Sequence, residues 1–326
     1  MERKKNKVTL IIFSYNRANQ LNFLLKSVKK KIKHISYPIH IIYKPSPKHE
    51  KSYDLLKKNW KSKIKIYRRK KINLFFLIKD IIFWPINLIW LFKWPSIITE
   101  FNDFKLILQK IIKETKDSFI MLSTDDQYIY KNTHFSKKVF SLLRKHKKKI
   151  TYRFNTSDKF NDENRLNPKM KIKYFDKNKK SKFFKWFNND KFAKYVWKYR
   201  FHVDGSIYHK SSLMSFIKLF IFNNPITLEG IGLWESRFRN YFTIGLSSAN
   251  RSNIGIQANN LQKLVNTPRS YFDINVLRMA YENDYNFYIK KKEINENKHI
   301  YIPKNIFFIK NKKIFTYESV KKKLLF

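Results

Sequence analysis

Two neighbouring carboxylates, Asp125 and Asp126, close an apolar run in the stretch SFIMLSTDDQYIY, Ser118 to Tyr130. The chain holds 70 Lys+Arg against 24 Asp+Glu, so an aspartate pair at the tip of a buried segment is surrounded by counter-charge and points to a partner. Two readings are open for the pair: ligands to a bound group, or caps of a helix beginning near Asn132. A second acidic position, Glu229, lies in NNPITLEGIGLWESRFRN. Pro225 and Thr227 open a helical pattern there, which predicts Glu229 in the first turn. The helix dipole would hold a carboxylate ionised at that place, able to take a proton once a substrate desolvates it; the alternative is a glutamate that only complements the dipole. Glu235, flanked by Arg237 and Arg239, reads as a salt-bridged surface group. YRFHVDGSIYHKSSL reads as a hairpin turning at Asp204-Gly205. Only 5 glycines occur, and Gly205, Gly230 and Gly232 gather near Asp204 and Glu229, which implies a close approach of backbone.

Other chemistries are excluded. The 8 histidines form no HExxH or comparable pair; His202 and His209 flank the predicted hairpin, as structural groups or as one further metal ligand. No Walker A, Gly-x-Gly-x-x-Gly or nucleophile elbow is present. With no cysteine, disulfides, thiolate zinc sites and a thiol nucleophile are ruled out together, and a reducing compartment is indicated.

The elements that must position these residues follow a rhythm. VTLIIFSYN is a continuous apolar strand, and Leu21, Leu24, Leu25, Val28 and Ile32 give helical spacing from Ala18. IHIIYKPS and KIKIYRR are further strands separated by a short helix, Tyr53 to Trp60. A helix from Phe104 to Lys116 leads to the strand Phe119 to Ser123, and ITYRFN, carrying Arg153, is the next. Strands alternating with helices imply parallel βαβ units, with solid apolar strands and ligands beyond their carboxyl ends. Asp125 and Asp126 stand at one such end, and Ser14-Tyr15-Asn16-Arg17 at another.

A first strand ending IIFSYNRANQLNFLLKSV and a later strand ending STDDQYIY resemble the nucleotide-sugar-binding half of GT-A glycosyltransferases, in particular bacterial inverting enzymes of surface polysaccharide synthesis. The similarity covers roughly Lys7 to Phe140. It implies an α/β GT-A fold, Rossmann-like, with a mostly parallel central sheet flanked by helices, here with aromatic-rich insertions. It also implies a nucleotide-sugar donor and a glycan or lipid-linked acceptor. By position, Ser14, Asn16 and Arg17 would line the donor site with Asp125, Arg153 and Asp204. Asp125 and Asp126 would hold a divalent ion, Mg or Mn, on the diphosphate, and Glu229 would be the catalytic base. TDDQ departs from a clean Asp-X-Asp, which puts the metal in question; lysines and Arg17 would otherwise neutralise the leaving group. The later NNLQ, with Asn260 and Gln262, resembles an element of related proteins and would read sugar hydroxyls or cap a loop.

Three regions follow: 1–150 for the donor, 151–290 for acceptor and catalysis, and 291–326 as a basic extension. Within the first, INLFFLIKDIIFWPINLIWLFKWP (72–95) is the most apolar part, but Lys79, Asp80 and Pro85 interrupt it, and about 20 clean apolar residues are needed to span a bilayer. It reads as a membrane-surface segment or as a buried helical hairpin. The apolar run after the charged start is too short for a secretory leader, so the expected place is cytoplasmic, at the inner face of the membrane. The net charge of +46, built from 57 Lys and 13 Arg, is spread along the chain and matches A- and T-rich codon usage, so no specific nucleic acid is expected. The alternative from another class is a non-catalytic basic protein binding RNA or an anionic membrane; 159–200, an acceptor-side insertion or lid on the transferase reading, would then be the place for bases to stack.

Overall fold

In the computed structural model, residues 6–325 are described apart from 74, 134, 176–182, 250, 257, 259–271, 291–292, 296 and 299. The first half runs β1 (Val8–Ser14), α1 (Ala18–Lys31), β2 (Ile35–Tyr43), α2 (Glu50–Trp60), β3 (Ile64–Arg68), α3 (Phe75–Phe83), α4 (Asn87–Lys93), α5 (Ser96–Thr99), α6 (Phe104–Glu114), β4 (Phe119–Thr124), β5 (Gln127–Ile129), α7 (Lys137–Lys145) and β6 (Ile150–Arg153). The second half adds β7 (Ile172–Tyr174), β8 (Phe183–Phe187), β9 (Ser206–His209), α8 (Lys210–Ile217), α9 (Pro225–Phe238), β10 (Ile244–Ser248), β11 (Asn253–Ile256), α10 (Ile274–Glu282), β12 (Asn286–Tyr288), β13 (Ile300–Tyr301), β14 (Phe307–Lys310), β15 (Lys313–Thr316) and α11 (Tyr317–Leu325).

The large sheet has nine strands in the order β3-β2-β1-β4-β9-β6-β10-β8-β7. The pairs β3/β2, β2/β1, β1/β4 and β6/β10 are parallel. Only β9 and β8 run against the other strands, so the sheet is mostly parallel and helices cover both faces. Every residue of β1 is buried, and its side chains alternate between two cores. Leu10 and Ile12 pack with α1, α2 and α7; Ile11 and Phe13 pack with α6, α8 and α9. Solid apolar strands are what a sheet covered on both faces requires. The chain leaves β1 through α1 on one face to reach β2, and enters β4 from α6 on the other face. Strand order therefore reverses between β1 and β4, which opens a crevice at their carboxyl ends.

Three expectations are corrected here. The helix after the aspartates begins at Lys137, and Ser136 caps it by accepting from the Val139 N–H at 3.2 Å, so neither aspartate is its cap. No hairpin forms at Asp204-Gly205: residues 199–203 make no strand, and β9 pairs antiparallel with β4 and β6. Much of the aromatic surface of 159–200 is turned inward, where Phe184, Trp186 and Trp197 form a small core, while Tyr174, Phe187 and Tyr195 stay exposed. The tail folds as the short strands β13 to β15 and α11, with Ile306, Phe308, Tyr317 and Val320 packed with α10. Asn260, Gln262 and the run Lys177–Lys182 lie outside the described residues.

Candidate active site

The loop after β1 turns at Asn16, whose φ of 57° lies in the left-handed region that asparagine tolerates. Its Oδ1 accepts the Ser46 N–H at 2.7 Å, tying this loop to the one after β2. Ser14 Oγ donates to Asp125 Oδ2 at 2.7 Å, as does the Tyr15 N–H at 3.1 Å. With its proton so placed, Ser14 accepts from the Tyr53 hydroxyl at 2.6 Å. Arg17 Nη1 lies 3.2 Å from both Asp125 Oδ1 and Asp126 Oδ2. Burial pushes the Asp125 carboxyl up to about 6 against the opposing pull of Arg17. Burial also works against the Arg17 charge, but Asp125 and Asp126 together hold its pKa above the usual value.

Thr124, the last residue of β4, connects this group to a second one. Its Oγ1 is 2.7 Å from Asp126 Oδ1 and 2.7 Å from Asp204 Oδ1. A hydroxyl carries one proton, so both contacts can be hydrogen bonds only if one carboxyl is itself protonated and donates to Thr124. Asp126 already accepts from Arg17, so the second proton is placed on Asp204. Asp204 is pushed up to about 7, first by burial and next by Asp126. The chain of bonds therefore runs from an Asp204 O–H to Thr124, and from the Thr124 O–H to Asp126.

Glu229 stands beyond Asp204. Burial, then the charge of Asp204, raises its carboxyl well above the usual range, against a hydrogen bond from the Val203 N–H and the Arg153 charge. The helix starts at Pro225 under a capping box from Asn224 and Thr227, so Glu229 is the fifth residue and not in the first turn; burial, rather than the dipole, governs its proton. His202 Nδ1 accepts the Asp204 N–H at 3.1 Å, which leaves Nε2 as the donor in the neutral ring, 3.5 Å from Glu229 Oε1. Arg153 is 1 % exposed. Its guanidinium binds the Val196 carbonyl and Asn188 Oδ1 and stacks on Trp186, while burial lowers its pKa to about 10. Glu235 is the reverse of a surface group: at 1 % exposure it takes Arg239 Nε at 2.7 Å and Trp90 Nε1 at 2.9 Å.

A cavity of about 500 Å³ occupies the carboxyl ends of β1 to β4. Arg17, Lys44, Arg69, Thr124, Asp125 and Asp126 face it, together with the apolar Phe13, Ile42 and Phe104 and the start of α9 at Asn224–Ile226. Arg69 rests on the Phe104 ring and donates to the Asn223 carbonyl at 3.2 Å, and burial lowers its pKa to about 10. Ser14 also lines the cavity, whereas Asn16, Arg153, Asp204 and Glu229 do not; Asp204 adjoins it through Thr124. Thr124, Lys44 and Arg69 were missed as site residues. Each is the last residue of a parallel strand or the first beyond it, the same signal that marks Ser14.

The donor set does not present a ready site for the divalent ion expected on Asp125 and Asp126. Both Asp125 oxygens are engaged, Arg17 stands between the two carboxylates, and among the described residues no three His, Asp or Glu side chains are grouped to hold a metal.

No protein-family model and no curated protein matches this chain. Among solved structures it is similar to residues 1–349 of S. aureus TarS, with 11% identity and a TM-score of 0.39 over 76% of this chain and 59% of that one. The complex of that protein with UDP gives 11% identity and 0.41 over 76% and 59%. The 4-diphosphocytidyl-2C-methyl-D-erythritol synthase of Anaerococcus prevotii gives 9% and 0.35 over 76% and 89%. The match thus spans less than two thirds of the TarS chain.

Proposed function

We propose that the protein moves a sugar from a nucleoside-diphosphate donor to a hydroxyl of a glycan or lipid-linked acceptor, with inversion, in surface polysaccharide synthesis. One observation supports the reading: the cation-lined cavity at the β1/β4 crevice is joined by the Thr124 hydroxyl to Asp204, whose charge in turn acts on the buried Glu229. Crevices at such a reversal of strand order are where open α/β sheets bind ligands. The diphosphate lies against Arg17, Lys44 and Arg69, and the base against Phe13, Ile42 and Phe104. The acceptor oxygen attacks the anomeric carbon as the bond to the diphosphate oxygen breaks. The acceptor proton passes to Glu229, and the charge left on the diphosphate is met by the three cations. A carboxylate whose pKa is raised is the better proton acceptor near neutrality. His202 and Asp204 position Glu229, Ser14 and Asn16 shape the donor loop, and no step is routed through a metal. In this reading 1–150 is the donor half and 151–290 the acceptor half.

Melting curves with uridine, guanosine, cytidine and thymidine diphosphates test the donor half. One of them is expected to raise Tm in proportion to the logarithm of its concentration. Glu229→Gln should keep that shift and lose about 10²-fold or more in release of nucleoside diphosphate from the matching sugar donor. The reading fails if none of the four shifts the melt, and the base assignment fails if Glu229→Gln turns over like the parent.

A further inference from the structure

Segment 72–95 is partly buried and partly exposed. In α4, Asn87 and Trp90 are buried while Leu88, Ile89 and Phe92 are exposed; in α3, Leu77 is buried while Phe75, Ile78 and Ile82 are exposed. Residues spaced by three and four share a helix face. Both helices are therefore apolar on the side that packs against the protein and apolar again on the side that faces water. Phe92 is 86% exposed and Ile82 71%. A helix that is apolar all round is ordinarily buried on every side.

The outer face continues onto α9. There Trp234 and Phe238, four residues apart, are both exposed, Phe238 at 75%. The junction is built: Trp90 Nε1 donates to Glu235 inside it, Lys93 Nζ lies 4.5 Å over the Trp234 ring, and the Arg239 guanidinium lies 5.1 Å over Trp84. A Cβ on Gly230 would come within 2.7 Å of the Trp94 ring, so α9 accepts this segment only because that position is glycine. The result is a face of large apolar and tryptophan side chains rimmed by the cations Lys79, Lys93, Arg237 and Arg239. Apolar patches of this kind mark interaction surfaces.

We infer that this face seats on an anionic lipid bilayer, lying in the headgroup region with its apolar side chains directed into the acyl boundary. Charge decides between a bilayer and a second copy of the chain. Self-docking would bring two rims of Lys and Arg together on molecules that each carry +46, whereas an anionic leaflet complements both rim and net charge. Tryptophan beside lysine and arginine is the composition that membrane interfaces favour. No described helix is long and apolar enough to cross a membrane, so the contact lies on the surface. Ser96 and Glu100, just beyond this segment, line the cavity; on the transferase reading, a lipid-linked acceptor would thereby be met at the cavity rim.

The test is sedimentation of the full chain with vesicles of equal phosphatidylglycerol and phosphatidylcholine, against pure phosphatidylcholine. Binding is expected to the anionic vesicles, weakening with salt, and by about fivefold for each rim cation neutralised by mutation. The triple variant Ile82→Ser, Phe92→Ser, Phe238→Ser should lose at least about 100-fold in affinity, from about tenfold per inserted side chain. The control pair Phe187→Ser, Ile314→Ser, exposed elsewhere, should change nothing. Should the triple variant fail to melt like the parent, quenching of parent tryptophan fluorescence by brominated lipid replaces it, with strong quenching expected. The proposal is overturned if the parent ignores anionic vesicles, if the triple variant binds as tightly as the parent, if bromolipid leaves the fluorescence unchanged, or if the parent is a dimer that the triple variant dissociates. None of these readouts depends on sugar transfer, so the proposed activity can fail without it.

Discussion

Asp204→Asn tests the proton assigned between Thr124 and Asp204. The Asp204 carboxyl lies at about 7 in the fold against an ordinary 3.8, a difference of about 3 units, each corresponding to about 1.36 kcal/mol. Folded-state pKa is the higher one, so between these values the native chain binds more protons than the unfolded chain. The stability contributed by this group is complete below the ordinary value and falls as pH rises to about 7. The full shift would cost about 4 kcal/mol at pH 8 relative to pH 4, and relaxation of the surroundings around the ionised carboxyl reduces this to about 2 kcal/mol. Asparagine keeps the shape, and its amide N–H can donate to Thr124 where the acid O–H did, without a charge to lose. The variant is therefore expected to match the parent near pH 4 to 5 and to exceed it by about 2 kcal/mol at pH 8. Urea unfolding followed by tryptophan fluorescence at both pH values gives the comparison. A loss of stability that is equal at the two pH values would mean that Asp204 titrates like an ordinary aspartate, and the single-proton account of Thr124 would be wrong.

Arg17→Gln leaves Asp125 buried beside an uncharged group; the expected cost is about 3 kcal/mol at pH 8 and less at pH 5, where the Asp125 carboxyl, already at about 6, protonates instead. The same variant should lose the nucleoside-diphosphate melting shift. Because Arg17 stands where a cation would otherwise bridge the acids, that shift in the parent is expected to be the same in EDTA as with added Mn²⁺. A shift that appears only with Mn²⁺ would show that the guanidinium yields its place to the ion.

The first half was legible because it obeys one rule. A parallel strand covered on both faces must be apolar throughout, and β1 and β4 are written that way, while β2 and β3, towards the sheet edge, carry polar and exposed residues; the importance of the carboxyl ends of β1 and β4 could therefore be read directly. Where the reading went wrong, a second rule outweighed a local signal. Asp204-Gly205 has the residues of a tight hairpin turn, but Gly205 takes a φ of +66° with Asn253 and Phe154 packed against its Cα. The preceding residues bury Phe201 against Phe216 and Tyr208 and so never pair as a strand. Glu235 was read as salt-bridged to the flanking arginines, and it does pair with Arg239, yet its burial depends on Trp90 folding back over α9. The hydroxyl of Thr124 carried no sequence signal beyond its place as the final residue of a strand; its role depends on Asp204, which is distant in the chain.

The contrast between net charge and local charge bears on what kind of molecule this is. A basic protein built to hold nucleic acid by stacking would pair its cations with aromatic faces open to bases. Here many lysines instead lie over rings that they themselves cover: Lys148 on Tyr241, Lys310 on Tyr285, Lys290 on Phe307. Their stems shield aromatic surface, and the tryptophans of β8 and its neighbours are buried. Much of the positive charge is thus spent on the protein's own surface. The scarce carboxylates are distributed differently. Asp125, Asp126, Asp204 and Glu229, from three separate stretches of chain, converge where burial and mutual repulsion raise the pKa of three of them, an arrangement that works against folding. Perturbed acids gathered at a crevice are characteristic of chemistry rather than of scaffolding.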